Sequence, residues 1–150
     1  KEIAEHIVIN KSKPFRNIVK DNQIIITADT LVWFQEKCWG KPKDKIEAKN
    51  MLKIFAGQNH QVITSVGFLT SSSFEILTES TKVKYKDLTE KEINYYVDTV
   101  NPIDKAGSYG IQDWIGMIGV EVINGSYTSV LGLPVPQVTN KILKIINENL

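Results

Sequence analysis

The chain has few of the residues that build disulfides, zinc sites or membrane spans. Its single cysteine, Cys38, can form no disulfide within the chain, which favours a reducing, cytoplasmic location. The two histidines, His6 and His60, lack the spacing of a zinc motif, and Cys38 has no neighbouring histidine to activate a thiol nucleophile. No apolar run reaches the roughly 18 residues that a membrane span needs. We therefore expect neither zinc nor a membrane partner.

An excess of charge of one sign is also missing. Lysine and arginine total 18, and aspartate and glutamate total 17, so the net charge is +1. This balance excludes bulk electrostatic attraction to nucleic acid or to an anionic membrane. The 150 residues are 42% hydrophobic, which is enough to bury a core. We expect residues 1–150 to form one globular domain that binds no nucleic acid.

The segment Asn22–Phe34, NQIIITADTLVWF, places an acid in apolar surroundings. The run Ile24–Ile26 is typical of a strand covered on both faces. Asp29 follows it, and a buried carboxylate costs free energy unless a partner compensates its charge. Two interpretations stay open. Asp29 accepts hydrogen bonds from backbone donors at a turn, or it lies at the mouth of a site that supplies a metal, a water or a substrate.

Periodicity and capping signals predict a mixed α/β protein. Asp44 is a predicted N-cap, and Thr89 with Glu92 forms a predicted capping box. The predicted helices are Glu2–Val19, Lys45–Ala56, one opened by Thr89, and a last one that follows Pro134 and Pro136. The predicted strands are Gln23–Thr27, Thr30–Phe34, His60–Thr70 and Phe74–Tyr85. The predicted inward faces of the last three helices are, in order, Ala48, Met51, Leu52 and Phe55; Ile93, Tyr96, Val97 and Val100; and Val138, Ile142, Leu143 and Ile146.

Two short segments carry candidate binding chemistry. Asp104–Gln112, DKAGSYGIQ, combines an acid, a lysine suited to phosphate and an amide suited to a base edge around two glycines. Gly40-Lys41-Pro42 presents a second lysine. Taken alone, each pattern more often marks a structural turn with solvated charges. His60 is likewise expected to be a surface or capping residue rather than a ligand.

The order of several motifs is more informative than any one of them. In sequence they are Ala28-Asp29-Thr30, Gly40-Lys41-Pro42, Met51-Leu52, Gly57, His60-Gln61-Val62, Asp104–Gln112, Asn124-Gly125-Ser126-Tyr127 and Gly132-Leu133-Pro134. This series resembles the Maf family of nucleoside triphosphate pyrophosphatases over nearly the whole chain. The Ala-Asp-Thr and Gly-Ile-Gln forms look like the branch that acts on dTTP and UTP, rather than the branch that acts on 7-methyl-GTP.

The resemblance implies a fold and a reaction. The fold is Maf/ITPase-like, with helices flanking an elongated mixed sheet that carries a cleft. The reaction is the hydrolysis of dTTP or UTP to the monophosphate and pyrophosphate, assisted by a divalent cation, Mg²⁺ or Mn²⁺. Family members often look dimeric, so the resemblance also implies a homodimer.

The resemblance further implies roles for individual residues. Asp29 is the expected proton acceptor that activates water and, together with Asp104, an expected metal ligand. The expected phosphate contacts are Lys41, Lys105 and Lys11, and the expected pyrimidine contacts are Thr30 and Gln112.

In the family, a strand and a Ser-x-Ser-Pro-Arg-Arg loop, which grips the triphosphate, precede the first helix. The resemblance here starts at that helix, at Lys1. We therefore expect weak or undetectable turnover from these 150 residues alone. The family's older name, septum formation protein, implies an alternative function. In that alternative the chain is a nucleotide-binding regulator of cell division with little or no hydrolysis.

Overall fold

A computed structural model describes residues 1–148, in which helices pack around a five-stranded sheet. The helices are α1 (Glu2–Ser12), α2 (Lys45–Phe55), α3 (Glu90–Val100), α4 (Trp114–Gly119), α5 (Tyr127–Val130) and α6 (Val135–Glu148), and short 3₁₀ turns cover Lys13–Phe15 and Ala106–Ser108. The strands are β1 (Ile25–Phe34), β2 (Lys37–Trp39), β3 (Asn59–Leu69), β4 (Phe74–Tyr85) and β5 (Val120–Asn124). No helix among these residues is long and apolar enough to cross a membrane.

The sheet has the strand order β2-β1-β3-β4-β5. Helices flanking a sheet with a cleft confirm the expected fold class. The four described pairings all run antiparallel, whereas the resemblance implied mixed strand directions. The central strand β3 is buried along most of its length because β1 and β4 pair with it on either side. It therefore provides the fixed reference against which the other elements are placed.

The segment around Asp29 is one continuous strand, not two. Residues 25–33 pair with β3 throughout, from Ile25 opposite Leu69 to Trp33 opposite Gln61, so there is no turn for Asp29 to cap. The first interpretation of Asp29 is therefore wrong. The expected two-sided burial of the preceding isoleucines is wrong as well, since Ile26 is 39% exposed. These residues lie at an end of the sheet where cover is incomplete.

The first helix is shorter than predicted. It ends at Ser12, and a 3₁₀ turn with Pro14 follows. Proline lacks the amide hydrogen that the helix would use, and its ring collides with the preceding turn, so the helix cannot run on to Val19. The remaining helix packs on the sheet through Ala4 and Val8, which are fully buried.

The capping predictions for α2 and α3 are confirmed. The Glu47 N–H donates to the Asp44 carboxylate at 2.8 Å, and the Thr89–Glu92 capping box is complete. The inward stripe of α2 is buried as predicted. In α3 the stripe is buried except at its last position, Val100, which is 41% exposed. The helix ends there, so no neighbouring element covers that side chain.

The inward face of α6 differs from the prediction. Leu143 and Ile146 were expected inside but are 53% and 44% exposed. Val138 is buried and Ile142 packs inward as predicted, and Ile145 is buried in place of the other two, against the β3 residues Val66 and Phe68. The helix carries two adjacent apolar stripes, and only contact with the sheet decides which one turns inward.

Candidate active-site cleft

A cleft of about 380 Å³ opens between β1 and the loop that precedes α4. One wall is the β1 segment around Asp29, and the other is the loop Asp104–Gln112, which is called here the 104–112 loop. The predicted site residues that line this cleft are Asp29, Thr30, Lys41, Asp104, Lys105 and Gln112. Residues far apart in sequence therefore converge on one cavity.

The β1 wall presents its acid at an edge that no second strand covers. β2 pairs with β1 only at Val32–Phe34, so the edge near Ala28 and Asp29 is left open. Lys11, from the end of α1, reaches this edge. Its ammonium donates to the Ala28 carbonyl at 2.8 Å and to Asp29 Oδ1 at 2.7 Å. The cationic partner explains how a carboxylate that is only 22% exposed is tolerated beside apolar strand residues.

The loop wall presents a lysine between two acids. Lys105 Nζ lies 3.2 Å from Asp104 Oδ1 and 4.0 Å from Asp113 Oδ2. The hydrogen bond from Lys105 lowers the pKa of the Asp104 carboxyl. Lys105 itself is half-buried, so its ammonium is directed by its neighbours and not by solvent alone. A phosphate entering the cleft would meet an ammonium that is already oriented.

The 104–112 loop is held from below by a buried tyrosine. Tyr96 OH donates to Asp113 Oδ2 at 2.6 Å and accepts the Gly110 N–H at 3.3 Å. Burial raises the pKa of Tyr96, and the hydrogen bond to Asp113 raises it further. From its spacing, Tyr96 was predicted only as a member of an apolar stripe. The hydroxyl on that stripe was a signal that a polar partner had to lie nearby.

His60 provides a second support, contrary to prediction. It was expected at the surface but is only 3% exposed, because it lies on β3 between rings of the core. Its Nε2 makes a 2.7 Å hydrogen bond with Tyr109 OH, at the centre of the 104–112 loop. Burial lowers the pKa of His60 to about 4. The imidazole is therefore neutral near pH 7 and positions Tyr109.

Gly107 joins the two lysine-bearing segments. Its N–H donates to the Gly40 carbonyl at 3.0 Å. It adopts φ +68°, and a Cβ at this position would approach the Val32 Cγ2 to 2.8 Å. The glycine is thus required for packing against the core. The purely structural interpretation of the loop is right for this residue, while the lysines on both segments still face the cleft.

A series of hydrogen bonds leads from the cleft into the core behind it. Thr30 and Thr64 are directly opposite each other on β1 and β3, with their hydroxyl oxygens 2.8 Å apart. Thr64 Oγ1 donates in turn to the Ser129 carbonyl at 2.7 Å. Both Thr64 and Ser129 are fully buried. Neither residue was predicted for the site, although a threonine among the apolar residues of a buried strand signals a required partner.

The carboxylate ligands that the cleft offers suit a divalent cation that enters together with the substrate. Two carboxylates, Asp29 and Asp104, line the cavity, and residues 1–148 contain no cluster of three or more histidine, cysteine or acidic side chains that could hold a metal. Mg²⁺ commonly binds through one or two carboxylates together with substrate phosphates and water. Such a site needs no closed cage of protein ligands.

Comparison with known proteins connects these motifs to a family. The family described as Maf-like protein matches residues 1–145. A protein of Christiangramia forsetii named dTTP/UTP pyrophosphatase is 47% identical over 146 residues, which are 97% of this chain and 74% of that protein. Proteins with the same name from Flavobacterium johnsoniae and Bacteroides thetaiotaomicron are 44% and 41% identical, over 91% and 96% of this chain and 71% and 75% of their own lengths.

Proposed function

The chain belongs to the Maf-like protein family, and from this premise we propose that it is a nucleoside triphosphate pyrophosphatase acting on dTTP and UTP. It cleaves the bond between the α and β phosphates and releases the monophosphate and pyrophosphate. The observation that carries the proposal is the convergence of Asp29, Lys41 and Lys105 on one cleft. A base and two cations around one cavity suit the hydrolysis of a polyanion.

In this proposal Asp29 accepts the proton of the attacking water. Its position on β1 is fixed by pairing of the backbone with Ser65, while Lys11 holds one carboxylate oxygen at 2.7 Å. When the nucleotide binds, Lys11 exchanges this bond for the phosphates, and the carboxylate is freed to face the water. A general base positioned in this way contributes about a hundred- to ten-thousand-fold to the rate.

The remaining cleft residues bind the substrate. Lys41 and Lys105 contact the phosphates, while Thr30 and Gln112 recognise the pyrimidine. Asp104, together with the catalytic carboxylate, would hold Mg²⁺ or Mn²⁺. When bound, this cation neutralises charge on the phosphates. A nucleoside triphosphate is thus the proposed partner, and a homodimer stays a prediction.

One observation favours a second candidate, a nucleotide-binding regulator with little hydrolysis. The ion pair between Lys11 and Asp29 engages the carboxylate that would serve as the base. If nucleotide binding leaves this pair intact, water activation is suppressed while the cleft still binds phosphates. The two candidates therefore differ in chemistry and share a binding site.

Pyrophosphate release separates the candidates. We expect the pyrophosphate that the chain releases with Mg²⁺, at the weak turnover predicted above, to come from dTTP and UTP in preference to 7-methyl-GTP, and Asp29→Asn to lower this release to background. Nucleotide binding should survive that substitution. Binding without any release, in both the unaltered chain and the variant, would support the regulator instead. Equal release by the two would remove Asp29 from the mechanism.

A further inference from the structure

We infer that Thr64 sets the hydrogen-bonding direction of Thr30 and thereby makes the cleft select pyrimidines that carry an imide N–H. This inference rests on the proposed function, which supplies the pyrimidine nucleotide. Thr64 does not line the cleft and is a positioning residue. It acts through the proton of the Thr30 hydroxyl.

The hydroxyl proton of Thr64 is held by a backbone carbonyl. Its hydroxyl lies 2.7 Å from the Ser129 carbonyl, and a carbonyl oxygen can only accept. Thr64 has a single hydroxyl proton, so that proton is committed to Ser129. Thr64 is fully buried, and no water competes for the bond.

The proton of Thr30 is fixed as a consequence. The two threonine oxygens are 2.8 Å apart, so one of them must donate to the other. Because the Thr64 proton is already used, Thr30 is the donor. The Thr30 hydroxyl therefore directs its proton into the protein and offers only lone pairs to the cleft that it lines.

An oxygen without an available proton selects a ligand group that brings one. Uracil and thymine carry a donor at N3, the imide N–H, whereas N3 of cytosine is an acceptor. Opposite Thr30, the cytosine N3 would face lone pairs, and both groups would remain unpaired. A mismatch of this kind costs affinity because both groups give up hydrogen bonds to water and gain none in exchange. The same geometry thus accepts dTTP and UTP and rejects CTP.

The substitution Thr64→Val tests the inference, because valine keeps the shape and removes the hydroxyl. The Thr30 hydroxyl can then rotate and donate to the ligand. We expect the affinity ratio between the α,β-methylene analogues of UTP and CTP to fall about tenfold in Thr64→Val. Thr64→Ser restores the hydroxyl and should keep the original ratio. A serine variant that loses the ratio as far as the valine variant would overturn the inference.

Thr78→Val is the matched control. Thr78 also bonds another hydroxyl across the sheet, with Ser65 at 2.9 Å, but it lies outside the cleft. Removal of the Thr78 hydroxyl should leave the ratio of affinities for the UTP and CTP analogues unchanged. An unchanged ratio in a folded Thr64→Val protein would overturn the inference, as would an unaltered chain that binds the two analogues equally well.

The N3-methyl derivative of the UTP analogue gives a test without mutation. It removes the imide proton, and we expect it to bind the unaltered chain at least about tenfold more weakly. If it binds as well as the parent while the 2′-deoxy form binds weakly, the donor is a sugar hydroxyl and the inference is wrong. Every readout here is binding, so absence of hydrolysis would count only against the proposed activity.

Discussion

The two walls of the cleft are fixed in different ways. The β1 wall is part of the sheet, and its backbone pairs with β3 at every residue from 25 to 33. The 104–112 loop has no such ladder. It is held by side-chain bonds from Tyr96 and His60 in the core and by the backbone bond from the Gly107 N–H to the Gly40 carbonyl. The backbone position of Asp29 is thus set by sheet pairing, and that of Lys105 by separate bonds along its loop.

This difference makes the β1 wall rigid and leaves the loop wall able to adjust. The wall that carries the proposed base cannot move without breaking sheet hydrogen bonds. The wall that carries Lys105 has no continuous ladder, so we expect it to open locally at a lower cost than β1. Mutations beneath the loop should therefore change binding and local stability together, whereas changes on β1 should alter chemistry alone.

The largest expected effect is acid destabilisation through His60. Its folded pKa is about 4, below the unfolded value of 6.5, so only the unfolded state gains a proton between these values. The neutral His60 therefore contributes its full share of the unfolding free energy above pH 6.5 and loses it as the pH falls. Below about pH 4 no further stability is lost through this residue. The loss is about 3 kcal/mol. Urea unfolding across this pH range measures it.

Two variants isolate this effect. Between pH 6.5 and 4 the unfolding free energy falls with pH. In His60→Gln this fall should be smaller by the contribution of the one proton that His60 binds on unfolding. His6→Gln, which alters an exposed histidine, should keep the full slope. If the two variants show the same pH dependence of the unfolding free energy, His60 is not the buried neutral imidazole that supports the loop wall.

The next effect concerns the lysine of the loop. Lys105→Met keeps the apolar stem and removes the charge, so we expect the affinity for α,β-methylene UTP to fall about thirtyfold, in line with roughly 2 kcal/mol for a charge-assisted bond. The exposed Lys82, on β4 and outside the cleft, provides the control. Equal losses in Lys105→Met and Lys82→Met would mean that only bulk charge matters.

Removing the Tyr96 hydroxyl should have a smaller effect. Tyr96→Phe leaves the Asp113 carboxylate and the Gly110 N–H without this partner, at a cost of about 1–2 kcal/mol in unfolding free energy. Amide hydrogen exchange in the 104–112 loop should rise while exchange in β1 stays unchanged. The neighbouring Tyr95→Phe, on the exposed side of α3, should do neither. Faster exchange in both walls would contradict the proposed independence.

The smallest expected effect lies away from both walls. Lys53 and Glu90 form an ion pair between α2 and α3, and their side chains are 47% and 69% exposed. Exposed pairs contribute little to stability because water screens them. Lys53→Ala should therefore barely change stability or nucleotide affinity. A tenfold loss of affinity would show that the walls are coupled to the outer helices.

Local sequence signals predicted the elements whose causes are local. Asp44 and the pair Thr89 and Glu92 cap their helices through contacts within one turn, so the sequence contains the whole cause. The convergence of Asp29 and Lys105 was expected only because of the resemblance to a family. Nothing in their spacing shows that β1 and the loop meet.

The errors arose where distant contacts decide between local alternatives. Ile145 instead of Leu143 turns inward on α6 because of the sheet beneath it. His60 is buried because rings from α2, β4 and the 104–112 loop surround it, which the alternation of β3 alone does not reveal. The continuity of β1 through Asp29 likewise depends on pairing with β3 and on Lys11 from another element.

The most direct test of the central claim is an amide chemical-shift titration of the ¹⁵N-labelled chain with α,β-methylene UTP and Mg²⁺. The claim is that both walls bind one nucleotide. It predicts the largest shifts at residues 28–30, at Lys41 and along the 104–112 loop, with one common dissociation constant. Shifts confined to another hollow, such as the one lined by Gln35, Asn59 and Lys82, or no shifts at saturating ligand, would contradict it.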